Sequence, residues 1–339
     1  MDICFHLEVN GRGDIMQLKF CPDCGKPCEG LKFCGECGFD LRPYLPLVQN
    51  QTSQPQKQTM SVGTVTTNPS QPQPTTYDVQ SALEPFEVKL NPDGETYTLV
   101  GVKDKGITHA DIPNSVTIIG EIAFFKCEHL TSVIIPNSVT AIEKAAFASC
   151  SSLDNVMIPN SVKKIGESAF GYCTSLRTIQ LPDRMNSMDG YIFCGCESLE
   201  QIQLPQGIPF VPTSIFSHCA NLQHVSIPDS VTALMPSAFF GCNQLQTIQL
   251  PPRLTAISSS VFFLCEKLQN ITLPQTLQII NEKAFAHCCA LKSVTIPSGV
   301  ITIGEQAFVG CRDLTLRIPR VLAARAKKIT SPECTIIPY

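Results

Sequence analysis

Short segments in which apolar and polar residues alternate recur through the last two-thirds of the chain at one fixed interval. They read L-x-x-[IV]-x-[IL]-P, as in Leu130–Pro136 and Leu245–Pro251, the period-two pattern of a half-buried strand. Proline closes each strand because it offers no N–H to a ladder. These prolines fall at 113, 136, 159, 182, 205, 228, 251, 274 and 297, a spacing of 23 residues without insertion or deletion. Turn residues often follow (Asn114-Ser115, Asp229-Ser230), and then a second apolar pair such as Val116 and Ile119. Phe stands eleven residues after each proline, from Phe124 to Phe308, and Cys fourteen after, from Cys127 to Cys311. Leu stands seventeen after, from Leu130 to Leu314. The A-F-x-x-C segment predicts a single helical turn that puts Ala123, Phe124 and Cys127 on one side.

One such coil cannot bury enough apolar surface to offset the entropy of ordering it, so the period demands stacking. The unit IPNSVTIIGEIAFFKCEHLTSV resembles the leucine-rich repeat of the bacterial BspA-like family, and the resemblance covers about two-thirds of the chain. It implies a curved solenoid with a parallel sheet on its inner face, used for protein binding and adhesion, and several members are secreted or surface-displayed. The expected fold is therefore an α/β repeat. Nine coils over residues 113–318 form a leucine-rich-repeat solenoid, with a parallel sheet on the concave face and one short helical turn per 23-residue coil. Coils four and five depart from the unit at Met185, Met188 and Ile192, and at Pro209, Val211 and Pro212, which predicts a local irregularity in curvature. Residues 86–112 read as an N-terminal cap of two strands around an Asn-Pro-Asp-Gly turn. Residues 319–339 read as a C-terminal cap, with a short helix from Val321 to Lys328 and a last strand from Thr335 to Ile337.

A second pattern lies near the start. Cys21-x-x-Cys24-Gly25 and Cys34-x-x-Cys37-Gly38 are two knuckles, each able to aim two thiolates at one ion, and together they supply a tetrahedral sulfur set. Residues 16–45 are thus expected to form a zinc ribbon holding one structural Zn²⁺, similar to compact ribbons at the start of many bacterial proteins. Iron on the same four sulfurs and a redox dithiol are the alternatives, and Cys28 is a free thiol or a competing ligand. A segment this small needs the metal as its folding energy. Ribbons of this kind usually begin close to the initiator, so Met16 is a candidate start and residues 1–15 an extension that is disordered or untranslated. The Arg12-Gly13-Asp14 tripeptide carries little weight in such a segment. Residues 46–85 read as a disordered Gln/Pro/Thr-rich linker. Within 49–80 there are eight Gln, seven Thr and four Pro, and the charged residues are Lys57 and Asp78 alone.

Composition narrows the function. Charged residues are only 16% of the chain and the net charge is −4, which gives no electrostatic footprint for nucleic acid. Lys19, Lys26, Lys32 and Arg42 of the ribbon are too few and too scattered to reverse that for a ribosome-associated factor. No apolar run approaches a membrane span, and the first residues do not read as a secretory signal. The 18 cysteines are placed as knuckles and as a ladder rather than as a small secreted framework, so they read as metal ligands or reduced thiols in a reducing, cytoplasmic compartment. A surface adhesin exported by another route is the alternative. The Cys ladder reads as small buried side chains whose S–H groups meet turn carbonyls, with Cys194, Cys289 and Cys334 off the ladder. No motif for nucleophilic, metal-assisted or phosphoryl chemistry appears, so no enzyme is expected.

The expected function is a protein-interaction scaffold with a protein or peptide on the concave face; the oligomeric state is not readable. Two residues before successive prolines stand Gln180, Gln203, Ser226, Gln249 and Thr272. Four before stand Asn155, Thr178, Gln201, His224, Thr247 and Asn270. These eleven form an uncharged hydrogen-bonding surface, made more apolar in the first coils by Ile134 and Met157. The competing reading is that such side chains pair with one another along the stack.

Overall fold

A computed structural model of the chain describes residues 81–339, apart from residues 186 and 325. Each coil runs through three sides. The first is the strand just before the period proline, as in Ser132–Ile134, Asn155–Met157 and Thr178–Gln180. Successive copies pair in parallel one coil apart, for example Asn155 with Thr178, Val156 with Ile179 and Met157 with Gln180. This first ladder continues through Gln201–Gln203 and His224–Ser226, bridges at Thr247, Asn270 and Ser293, and the strands Ser293–Thr295 and Thr315–Ile318.

The second apolar pair of each coil forms a further parallel ladder, an element that the sequence pattern left as a mere apolar pair. Its strands are short: Val116–Ile119, Ala141–Ile142 and Lys164–Ile165, then Phe210–Val211 through Thr302–Ile303. Among the described residues coil four contributes no strand here, and the order breaks between Lys164–Ile165 and Phe210–Val211. The cause lies in coil five. In most other coils the N–H groups four and seven residues after the period proline donate back to the preceding coil, as Lys163 does to Thr140 and Gly166 to Ile142. In coil five these positions are Pro209 and Pro212, which have no N–H. The first ladder also breaks between Thr178–Gln180 and Gln201–Gln203, and again between His224–Ser226 and Thr247. The irregularity expected in coils four and five is thus a loss of two sets of inter-coil hydrogen bonds.

The third side corrects the expectation of a helical turn. In all nine coils the residues nine and thirteen after the proline have positive φ, as at Ser168 (55°) and Tyr172 (59°) in coil three. A helix would send its N–H groups back along its own chain. Alternating left-handed residues instead send every second one across to the next coil: Ile122 to Lys144 at 3.0 Å, Phe124 to Ala146 at 2.7 Å and Lys126 to Ala148 at 3.0 Å. The turns are therefore a third hydrogen-bonded register along the stack, and they satisfy backbone groups that a lone helical turn would leave unpaired. Left-handed backbone costs about 1–2 kcal/mol at a residue with a Cβ. Ile122 is the least suited, being β-branched and 48% exposed, so it recovers little by burial. Ile122→Asn is expected to raise unfolding free energy by about 0.5–1 kcal/mol in urea titration, because Asn tolerates this region. At three of the thirteenth positions the residue is glycine, and there it also makes room. A Cβ on Gly195, Gly241 or Gly310 would meet Tyr172, His218 or His287 of the coil before at 2.6, 3.3 and 2.5 Å.

All three sides enclose one core. Its axis is the Phe column, in which every ring from Phe124 to Phe308 is fully buried. Neighbouring rings stack at 4.8 to 6.0 Å with planes within 24°. The widest steps, 6.0 Å and 5.9 Å, are those on either side of Phe193 in coil four. Phe86 closes the first end edge-on, 6.3 Å from Phe124. The N-terminal cap pairs Phe86–Leu90 antiparallel with Tyr97–Val102, and Tyr97–Val102 starts the second ladder. His109–Asp111, inside the same stretch, starts the first ladder. Leu83 is buried against this cap. At the other end the single helix expected over Val321–Lys328 is two four-residue helices, Arg320–Ala323 and Ala326–Ile329. Thr335–Pro338 then adds a parallel strand to Thr315–Ile318.

Candidate binding face

Along the first ladder, side chains alternate between the core and the outside. Ile179, Ile202, Ile248 and Ile271 point in, at 5 to 8% exposure. All eleven residues singled out from the sequence are exposed on the opposite side. None of the eleven side chains hydrogen-bonds to another within the described residues, so pairing along the stack does not occupy them. The one such pair on this face is His109 Nδ1 with Ser132 Oγ at 2.7 Å.

The face has two parts. Over coils five to eight, His224, Ser226, Thr247, Gln249, Asn270 and Thr272 line a groove of about 740 Å³, with Pro252 and Pro274 beside them. Gln201 and Gln203 adjoin it, in register with His224 and Ser226. Asn155, Thr178 and Gln180 lie beyond the break in the ladder, next to Met157 (71% exposed) and Ile134 (53%). The groove is thus polar and the surface on the far side of the break partly apolar.

Two charged residues at the ends of the face escaped the reading of the eleven. The rule that found the others, two residues before a proline, also picks out Asp111 before Pro113 and Arg317 before Pro319. Arg317 was hidden because its proline follows the previous one by 22 residues, so the strict period misses it. It pairs in register with Thr295 and, with Gln275, Pro297, Ser298 and Tyr339, lines a hollow of about 270 Å³.

The Cys ladder has no open chemistry. From Cys150 to Cys311 each Sγ donates to the carbonyl of the Phe one coil earlier, at 3.1–3.2 Å. Burial pushes the thiol of Cys150, and those from Cys173 through Cys288, well above the ordinary range, which disfavours the thiolate that would bind metal or attack a disulfide. Cys334, read from the sequence as off the ladder, in fact follows Cys311 by one period and donates to its carbonyl at 2.9 Å, closing the column. Cys289 is exposed. In native protein a thiol reagent is expected to label Cys289 quickly and the ladder only after denaturation, as peptide mapping of the labelled protein would show. Prompt labelling of Cys219 would refute the inert column.

Cys21, Cys24, Cys34 and Cys37 lie outside the described residues. Among the described residues no helix is long and apolar enough to cross a membrane.

Comparison with known proteins agrees with this geometry. The profile of the BspA type leucine rich repeat region matches residues 103–223 and 211–323. A leucine rich cell surface protein from Faecalibacterium prausnitzii A2-165 is 26% identical, with a TM-score of 0.50 over 75% of this chain and 93% of that one. The leucine rich repeat protein of T. pallidum is 25% identical at a TM-score of 0.46, over 74% and 97%. The pneumococcal vaccine antigen PcpA is 17% identical at 0.48, over 75% and 86%. A search of curated proteins returns no match. With about two-thirds of its length matched and stacked coils of parallel strands throughout that length, the chain belongs to the BspA-type leucine-rich-repeat family.

Proposed function

We propose that this chain is a non-enzymatic interaction scaffold of the cell surface, which binds a protein or peptide partner along the outward face of its first ladder. The observation that carries this is the face itself: a row of exposed, uncharged donors and acceptors with a groove of about 740 Å³ in its second half. Rigid stacked coils hold these groups in place, so little ordering entropy is lost on binding. The surface location is supported by the relative described as a cell surface protein. Buried and hydrogen-bonded, the Cys ladder tolerates an oxidising compartment, so its thiols do not require a reducing one. An intracellular scaffold is the second reading, favoured by the two Cys-x-x-Cys pairs. In either location Cys21, Cys24, Cys34 and Cys37 hold one structural Zn²⁺ in a ribbon.

The test is pull-down with the full chain, from surface extracts and from cytosol, beside a Gln203→Lys/Gln249→Lys variant. Weakened capture by the variant, about tenfold or more, is the expected result, since two buried unpaired ammonium groups would oppose binding. Unchanged capture would remove the face from the function. Surface labelling of intact cells decides the location. Metal analysis should find one zinc per chain, lost when Cys34 and Cys37 become Ser.

A further inference from the structure

Granting that the face binds a partner, we propose that its second half reads the carboxyl-terminal end of an extended, uncharged peptide, with Arg317 receiving the terminal carboxylate. The groove over coils five to eight and the hollow at Arg317 lie on consecutive coils: Thr247 bridges to Asn270 and Asn270 to Ser293, and Thr295 pairs with Arg317. Together they make one track, with Ser226, Gln249, Thr272 and Thr295 along its floor and Pro252, Pro274 and Pro297 beside it.

The charge on this track is asymmetric. The residues lining it include no Lys, Asp or Glu, and the single Arg among them, Arg317, stands at its end. Arg317 is exposed and makes no ion pair among the described residues. Tyr339 beside it is already engaged, its hydroxyl donating to the Ile296 carbonyl and its main-chain oxygen accepting the Arg320 N–H at 3.0 Å. A guanidinium flanked by Thr295 and Ser298 hydroxyls and the Gln275 amide matches a carboxylate, which takes two parallel N–H bonds and accepts further ones. A charged side chain farther up the track would be desolvated against amides and hydroxyls with no counter-charge, so the rest of the ligand is uncharged. Amide and hydroxyl side chains both donate and accept, which the main chain of an extended peptide requires. Four coil steps from Ser226 to Arg317 span ~19 Å at ~4.8 Å each, which an extended chain covers in about six residues.

The experiment uses the full-length protein and a fluorescent library of hexapeptides built from Ser, Thr, Gln, Asn, Ala and Val, made once as free acids and once as carboxamides. In polarisation titrations the acids should bind at least tenfold tighter than the amides. Arg317→Gln should erase that difference by weakening the acids far more than the amides, and an unchanged thermal midpoint shows that the variant is folded. Acids and amides binding alike, or a difference that survives in Arg317→Gln, would overturn the inference. So would binding of carboxylate-bearing oligosaccharides in place of every peptide. Should the amides match the acids while Gln203→Lys/Gln249→Lys still weakens partner capture, the face binds a partner but does not read its terminus. If both tests fail, the reading of the face fails with it.

Discussion

Phe239→Ala is expected to lower the unfolding free energy by about 3–5 kcal/mol and to split a single urea transition into two. Phe239 has no exposure, and its ring stacks on Phe216 and Phe262, each at 5.5 Å. In a stack of coils the stability is a sum of unit terms and nearest-neighbour terms, and this ring belongs to two of the latter. Its loss leaves a cavity in the middle of the column, so the coils on either side lose their means of folding together. Phe193→Ala provides the comparison. Phe193 is equally buried, but its neighbours are 6.0 and 5.9 Å away, and its coil has lost hydrogen bonds on two sides. There the coupling is already weak, so less is lost and the transition changes shape less. An equal cost for the two variants, with matching curves, would show that coil four is coupled as tightly as the rest.

Gly304→Ala should be the next most damaging change, at about 1–3 kcal/mol or more, read as a fall in the thermal midpoint. A Cβ at Gly304 would lie 2.3 Å from the Glu282 nitrogen and 2.6 Å from the Asn281 carbonyl carbon. Both are backbone atoms of the coil before, held by inter-coil hydrogen bonds, so neither can give way as a side chain would. The second ladder runs close here, and Gly304 itself donates to Ile280 at 2.7 Å. Gly94→Ala is the control. Its φ is positive (74°), unlike that of Gly304, but a Cβ would meet nothing within 4 Å, so its cost is limited to backbone strain. A Gly304→Ala protein as stable as Gly94→Ala would mean that the coils can slide apart locally. Gly120 and Gly166 occupy the same place in coils one and three, where a Cβ would likewise lie 2.7 and 2.6 Å from backbone of the preceding turn, whereas Asp189, Met235 and Asn281 stand there in other coils.

The two variants probe features of different legibility. The Phe column was plain from spacing: nine rings at one interval in a stack of coils must lie over one another. Gly304 ends the V-x-x-I-G pattern that Gly120 and Gly166 also end, but other coils carry larger residues there, so spacing does not rank it. Only the distance between neighbouring backbones gives it a role.

The repeat, the first ladder with its inward and outward sides, the buried Phe and Cys columns, and the set of side chains on the outward face are all legible in the order of residues. These follow from period and alternation, because a strand turns successive side chains to opposite sides and a fixed repeat sets each residue above its equivalent. The weak point was also legible, though its mechanism was not. Pro209 and Pro212 matter because they sit where the second ladder needs N–H donors, and that ladder is known only from the fold. The tertiary structure alone decided how the turns are made. Ile122, Lys126 and Tyr172 have no preference for left-handed backbone, and A-F-x-x-C reads as helical. Stacking overrides propensity there, since the three N–H groups gained by the neighbouring coil outweigh the local strain. The same holds for Arg317 and Cys334, which take their places at the end of the face and of the thiol column because the last strands complete the stack.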